Sequence, residues 1–217
     1  MIDATSILGL GRVFVANMTG NVVFIGFALA GAPGYSIWGS LVALAAFLVG
    51  ASGGGSLIAR TASNRGVLLR NSLAIQCVLF AAALVVAIAA VASGASSGVR
   101  GSATLPIGDQ VVILACAALA LGFQNSVVRQ LAVPDMTTTV LTMTLTGIGS
   151  DLRKGDRRTA SRRIVAVLAM LVGAFVGALL VLSLGSVAGL ALALALLVVT
   201  FGGAAAASRR DAAWQHA

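Results

Sequence analysis

The sequence contains no glutamate and a single histidine, His216, which lies in the C-terminal tail. It has two cysteines, Cys77 and Cys116, both inside apolar runs. These absences remove the residue sets on which most metal centres and acid–base sites are built. There is no phosphate-binding Gly-Lys loop, no His/Cys metal spacing and no nucleophile with a base nearby. The sequence therefore predicts no enzyme, no cofactor and no metal. The cysteines read as small buried hydrophobes, not as a disulfide. Charge is scarce as well. Only 9% of the 217 residues are Asp, Glu, Lys or Arg, against roughly 25% in a soluble domain. So few charges cannot cover a water-soluble globule.

What is present is hydrophobic. Apolar residues make up 59% of the chain, and the mean hydropathy is +1.05. No charged residue occurs from Val13 to Ala59, from Asn71 to Val99, or from Ile164 to Ser208. A membrane-spanning helix needs about 20 apolar residues. The first and third runs each hold two such stretches, separated at Gly31-Ala32-Pro33-Gly34 and at Gly185-Ser186 with Gly189. The net charge of +8 does not point to nucleic acid. Arg60, Arg65 and Arg70 form one cluster between apolar runs, Arg153 to Arg163 a second, and Arg209 with Arg210 a third. Short basic clusters between spans mark the cytoplasmic side of a membrane protein. The expected partner is the lipid bilayer. The fold class is an all-α, polytopic transmembrane helix bundle.

Apolar segments fall at about 13–29, 38–59, 71–92, 111–130, 137–150, 164–184 and 190–207. Tyr35 and Trp38 stand where interfacial aromatics belong. With all three basic clusters in the cytoplasm, an odd number of crossings must lie between the Gly/Ser-rich linker at 93–110 and the cluster at 151–163. One of the two segments there cannot span. Segment 137–150 is short and Thr-rich, so it is read as a half-helix or re-entrant piece. Sliding the chain by 123 positions puts Val42, Ala43, Ala46, Leu48, Val49, Gly50, Ala51 and Gly54 on identical residues from Val165 to Gly177. Thr19 falls on Thr142. The two halves would run in opposite senses, giving two inverted repeats with interrupted helices, a recurring plan of secondary transporters. The expected organisation is one membrane domain, with a first repeat over 1–92, an external linker over 93–110, a second repeat over 111–207 and a cytoplasmic tail over 208–217.

Polar residues interrupt both halves. In the first, Asn17, Thr19, Gly20 and Asn21 break an apolar stretch. In the second, Gln124 and Asn125 are followed by a threonine series that includes Thr142 and Thr144. Uncharged amides and hydroxyls at membrane depth either line a solute path or bond between helices. Asp3 is the only acid near the first stretch, and carboxylates inside membranes often carry protons. Gly50-x-x-x-Gly54 and Gly173-x-x-x-Gly177 are small-residue packing motifs that allow the two repeats to cross closely.

Asp3-Ala4, the block Phe14-Val15-Ala16-Asn17-Met18-Thr19-Gly20-Asn21, Gly122-Phe123-Gln124-Asn125 and Thr138-Thr139-Val140-Leu141-Thr142 together resemble the YoaK family of bacterial membrane proteins, also called DUF1275. The resemblance covers essentially the whole chain. It implies a multi-pass protein of the bacterial inner membrane and no established activity. It also implies an apolar segment before the Asp-Ala pair, where this sequence has only Met1-Ile2, so that most of the first helix of the first repeat is missing. The second-half block departs from the family pattern too, with Met143-Thr144 after Thr142 in place of Gly-Asn. The leading expectation for function is a secondary transporter or channel for a small solute. Asp3, Asn17, Thr19, Asn21, Gln124, Asn125, Thr142 and Thr144 are the candidate pathway residues. The alternative is a non-transporting membrane scaffold or partner-binding subunit. A homo-oligomer is compatible with either.

Overall fold

The computed structural model describes residues 1–61, 64–94, 105–131 and 141–209. These form eight helices: α1 Ile2–Gly9, α2 Met18–Leu29, α3 Ile37–Thr61, α4 Arg65–Ala92, α5 Ile107–Leu131, α6 Leu141–Lys154, α7 Arg157–Leu184 and α8 Ser186–Ser208. No strand occurs among the described residues. Five helices, α3, α4, α5, α7 and α8, are long and apolar enough to cross a membrane. The fold is a polytopic helical bundle.

The segment expected at 13–29 is helical only from Met18, and residues 10–17 are irregular. Segment 137–150 is represented by α6, whose 14 residues rise about 21 Å against a hydrocarbon core of about 30 Å. Thr137, Thr138 and Thr139 lie outside the described residues. Residues 107–110, placed in the linker from sequence, form the first turn of α5 instead. Pro106 sits just ahead of it, and its carbonyl accepts from the Gln110 N–H at 2.9 Å. Proline suits a helix start because the N–H it lacks has no partner there.

The core is built where α5 lies between α3 and α4. Gly50 faces the Leu119 carbonyl, and Gly122 faces the Phe47 carbonyl, so closely that a methyl group at either would collide with backbone. A methyl at Gly54 would meet Ser126 Cβ at 2.8 Å and the Phe123 oxygen at 2.9 Å. Ser126 Oγ closes the seam by donating to the Ala51 carbonyl at 2.7 Å. Small residues let backbones approach to this range, and the resulting packing substitutes for a hydrophobic drive that lipid does not provide. Gly50 and Gly54 thus join a first-half helix to a second-half helix.

The main helix pairings are α3 with α5, α4 with α5, α4 with α8, α6 with α7, α1 with α7, α2 with α3, α7 with α8, α1 with α8 and α3 with α4. Exchanging α1 to α4 for α5 to α8, in order, turns each of these pairings into another of the same set. Directions follow from the contacts. Arg65 at the start of α4 donates to the Leu131 carbonyl at the end of α5. Gly9, at the end of α1, abuts Ser186 at the start of α8, and Val13 packs on Gly39 near the start of α3. Hence α3 and α5 run one way across the bundle, and α1 and α7 run the other. Every described arginine except Arg12 lies at the end of the bundle where α3 finishes and α7 begins. We call this the basic side.

Candidate functional site

The first interruption is a re-entrant turn. The chain leaves α1 at the face opposite the basic side. Gly11 and Arg12 both take positive φ, 90° and 58°. For arginine this left-handed geometry costs about 1–2 kcal/mol, and such strain is found where the fold imposes a special backbone path. The chain then turns back into the bundle. Leu10, Val13 and Val15 are buried in the core. Residues 14–16 return to the level of Asp3, which lies six positions before Gly9, or ~9 Å along a helix axis. From Met18, α2 runs back out toward the face opposite the basic side.

Inside a membrane, an irregular segment has to find partners for its own N–H and C=O groups. Two side chains supply them here. Asp3 Oδ1 accepts from the Val15 and Ala16 N–H groups, at 2.9 Å each. Asn21 is fully buried. Its Oδ1 accepts from the Phe14 N–H at 2.9 Å, while its Nδ2 donates to the Phe14 carbonyl at 2.7 Å. One amide therefore satisfies both polar groups of a single residue, as a neighbouring strand would. Gly20 lies directly under the Phe14 ring. That ring stacks on Phe24 at 5.3 Å, and Phe24 meets Tyr35 at 4.9 Å. Trp38 is exposed at the start of α3. The polar clamp and the aromatic cluster together hold the turn.

Asp3 and Asn21 are thus brought together on one backbone segment. Among the described residues, no hydrogen-bond donor reaches the second carboxylate oxygen of Asp3. Asn17 and Thr19, at the start of α2, are exposed. Gln124 and Asn125 are half-buried on α5. Thr142 is exposed on α6, and Thr144 is buried. Among the described residues, the main partner of α2 is α3, and that of α6 is α7. Within the α6–α7 hairpin, Arg163 lies flat across Gly147 and reaches Asp151 at 3.3 Å.

Sequence reasoning missed a buried polar pair in α4. Gln76 Nε2 donates to Ser72 Oγ at 2.9 Å, both residues being almost fully buried. Gln76 Oε1 and Ser40 Oγ are buried without a hydrogen-bond partner among the described residues. The available signal was the isolated glutamine in the run from Asn71 to Val99.

The family model described as "Protein of unknown function (DUF1275)" matches residues 1–202. The chain belongs to the DUF1275 family. A relative in that membrane family, "UPF0700 transmembrane protein YoaK" of Bacillus subtilis (strain 168), is 29% identical over 188 residues, which is 82% of this chain and 77% of the relative. No solved structure matches the chain. The DUF1275 resemblance seen in the sequence motifs is thus borne out, as is the multi-pass membrane character. Two of the residues carrying it, Asp3 and Asn21, are the ones that clamp the re-entrant segment.

Proposed function

We propose that this DUF1275 protein is a secondary transporter or channel that passes a small solute, built from two inverted repeats in a bacterial inner membrane with its C-terminus in the cytoplasm. The re-entrant segment is the observation that carries this reading. A bundle meant only to span would not require an irregular backbone at depth, held by an aspartate and an asparagine, with a strained arginine at its entrance. Non-helical backbone at membrane depth is tolerated where it is buried in protein or lines an aqueous cavity. The opposed directions of α3 and α7, and the helix pairings that persist when the halves are exchanged, support the inverted arrangement. In this reading Asn17, Thr19 and the open oxygen of Asp3 meet the solute, and Gln124, Asn125, Thr142 and Thr144 line the second half. Asn21 shapes the site from behind. No catalytic role is proposed; among the described residues there is no group of three or more His, Cys, Asp or Glu that could hold a metal ion.

The test uses protein with Cys77 and Cys116 replaced by alanine and single cysteines at Asn17 or Thr19. A membrane-impermeant thiol reagent should label both positions from at least one side. Asp3→Asn should keep the bonds to Val15 and Ala16 through its amide oxygen while changing flux in reconstituted vesicles, read by light scattering with small neutral solutes. Failure of both positions to label from either side would remove the water path and with it the transport reading. The complete use of the Asn21 amide within the fold favours a second reading, a non-transporting scaffold. On that reading Asp3→Asn leaves flux at the level of empty vesicles.

A further inference from the structure

Of the arginines at the start of α7 and the end of α6, one turns inward and the rest turn out. Arg163 is half-buried on Asp151. Arg153, Arg157, Arg158 and Arg162 are exposed, and none has an ion pair or hydrogen bond with another described residue through its side chain. The nearby acids are already engaged. Asp151 holds Arg163. Asp156 caps α7, its Oδ1 accepting from the Thr159 N–H at 3.1 Å. Elsewhere on the basic side Arg65 is occupied by the Leu131 carbonyl and Arg70 by Asn71. The other described arginines of the basic side are spread over several helix ends, so the start of α7 is where exposed positive charge is densest.

That charge continues directly into an apolar stripe. At helical spacing, Arg158 and Arg162 lie on the same face as Val165, Ala169 and Val172. Val165 is 64% and Val172 59% exposed. Ala169, between them, is exposed as well. A pair of guanidiniums above about two turns of exposed aliphatic surface matches an amphiphile with an anionic head and hydrocarbon chains. Arginine also presents the forked donors that phosphate oxygens take up in pairs.

We propose that the start of α7 is a binding seat for an anionic phospholipid. Arg158 and Arg162, flanked by Arg157 and Arg153, hold the phosphate-bearing headgroup, and an acyl chain lies along Val165, Ala169 and Val172. The proposal is independent of the transport reading.

The test places a bimane fluorophore on a single cysteine at Val165, with Cys77 and Cys116 replaced by alanine, in reconstituted full-length protein. Quenching by brominated phosphatidylglycerol is compared with quenching by brominated phosphatidylcholine. The anionic lipid should quench at much lower mole fraction, and a fluorophore at Val78, which is 69% exposed on α4, should show no such preference. Each of R157Q, R158Q and R162Q should reduce the preference, by roughly fivefold for a guanidinium at the headgroup. The triple variant should abolish it. These arginines are exposed, so their replacement leaves the fold intact, which the unchanged thermal unfolding of each variant would confirm. Equal preference at Val165 and Val78 overturns the proposal, as does a preference that survives the triple variant. Displacement of the lipid by millimolar inorganic phosphate would also overturn it, assigning the site to a free anion.

Discussion

The seams on either side of the bundle start from the same sequence motif and end differently. On α3, Gly50 and Gly54 are both buried against α5. On α7, Gly177 is buried against Met1, a methyl there meeting the Met1 oxygen at 2.8 Å, whereas Gly173 has ordinary van der Waals room. The helices that follow show the same contrast. Leu73, Gln76 and Phe80 of α4 are 5%, 1% and 4% exposed. At the shifted positions on α8, Leu196 and Val199 are 53% and 73% exposed. α3 packs chiefly on α5, and α7 on α6 and α1. A glycine motif provides for close approach, and only a helix laid against it converts that provision into packing.

The largest expected effect concerns the clamp, which also distinguishes the halves. Asn21→Leu leaves the Phe14 N–H and C=O unpaired inside the bundle. At about 1–3 kcal/mol for each buried group, the loss is about 2–6 kcal/mol, enough to abolish a monodisperse peak in detergent. Thr144→Val, at the position related to Asn21 by the repeat shift, should cost about 1 kcal/mol or less, since no clamp depends on it. Equal damage from the two would mean that the second half has its own version of the clamp.

The glycine seams come next. Gly50→Ala forces α3 and α5 apart and should cost about 1–3 kcal/mol, read as a lower unfolding temperature. Gly173→Ala meets nothing closer than 3.7 Å, and it should be neutral or stabilising by up to about 1 kcal/mol through helix propensity. A marked loss from Gly173→Ala would show that something more than α1 packs on α7.

Smaller effects are expected at the helix starts on the basic side. Asn64 Oδ1 caps α4 by accepting from the Val67 N–H at 3.0 Å, so Asn64→Ala should lower stability by about 1 kcal/mol. The smallest effect is at Asp156. The Thr159 backbone N–H holds its carboxyl below the usual range, with further help from the Thr159 side chain and from Arg162. A carboxylate with a lowered folded pKa gives stability that is present above its unfolded value and is lost as pH falls through the folded one. The unfolding temperature should therefore fall less below about pH 4 in Asp156→Asn, which keeps a capping oxygen but does not titrate there, than in the unmodified protein. Identical pH profiles would mean that the cap carries no charge-dependent stability.

Much of this architecture was legible in the sequence. The long charge-free runs fixed most of the spans, because a bilayer imposes a minimum apolar length. The polar block from Asn17 to Asn21 marked a helix interruption, because amides are costly in lipid without partners. The shortness of segment 137–150 marked α6. Less of the site could be read. Asn21 looked like a candidate solute ligand, and in the fold its amide is fully taken up by Phe14. Asp3 was read as a candidate pathway residue, and in the fold its carboxylate supports a backbone segment 12 and 13 positions away. Hydrogen bonds of that separation leave no periodic trace. Gln76 was overlooked because a lone amide scarcely changes the hydropathy of a long run.

By itself the sequence determined that the chain lives in lipid, where most of its spanning helices lie, which end of the bundle is basic and where a polar block interrupts the first apolar run. These properties follow from transfer energies and helix length, which local composition controls. Tertiary structure alone decided that α5 fills the glycine seam of α3, that Asp3 and Asn21 are spent on the backbone of the re-entrant turn, and that Arg163 turns in to Asp151 while Arg157, Arg158 and Arg162 face outward. Each of these depends on which surfaces meet, and residues distant in sequence become partners only when the helices are packed.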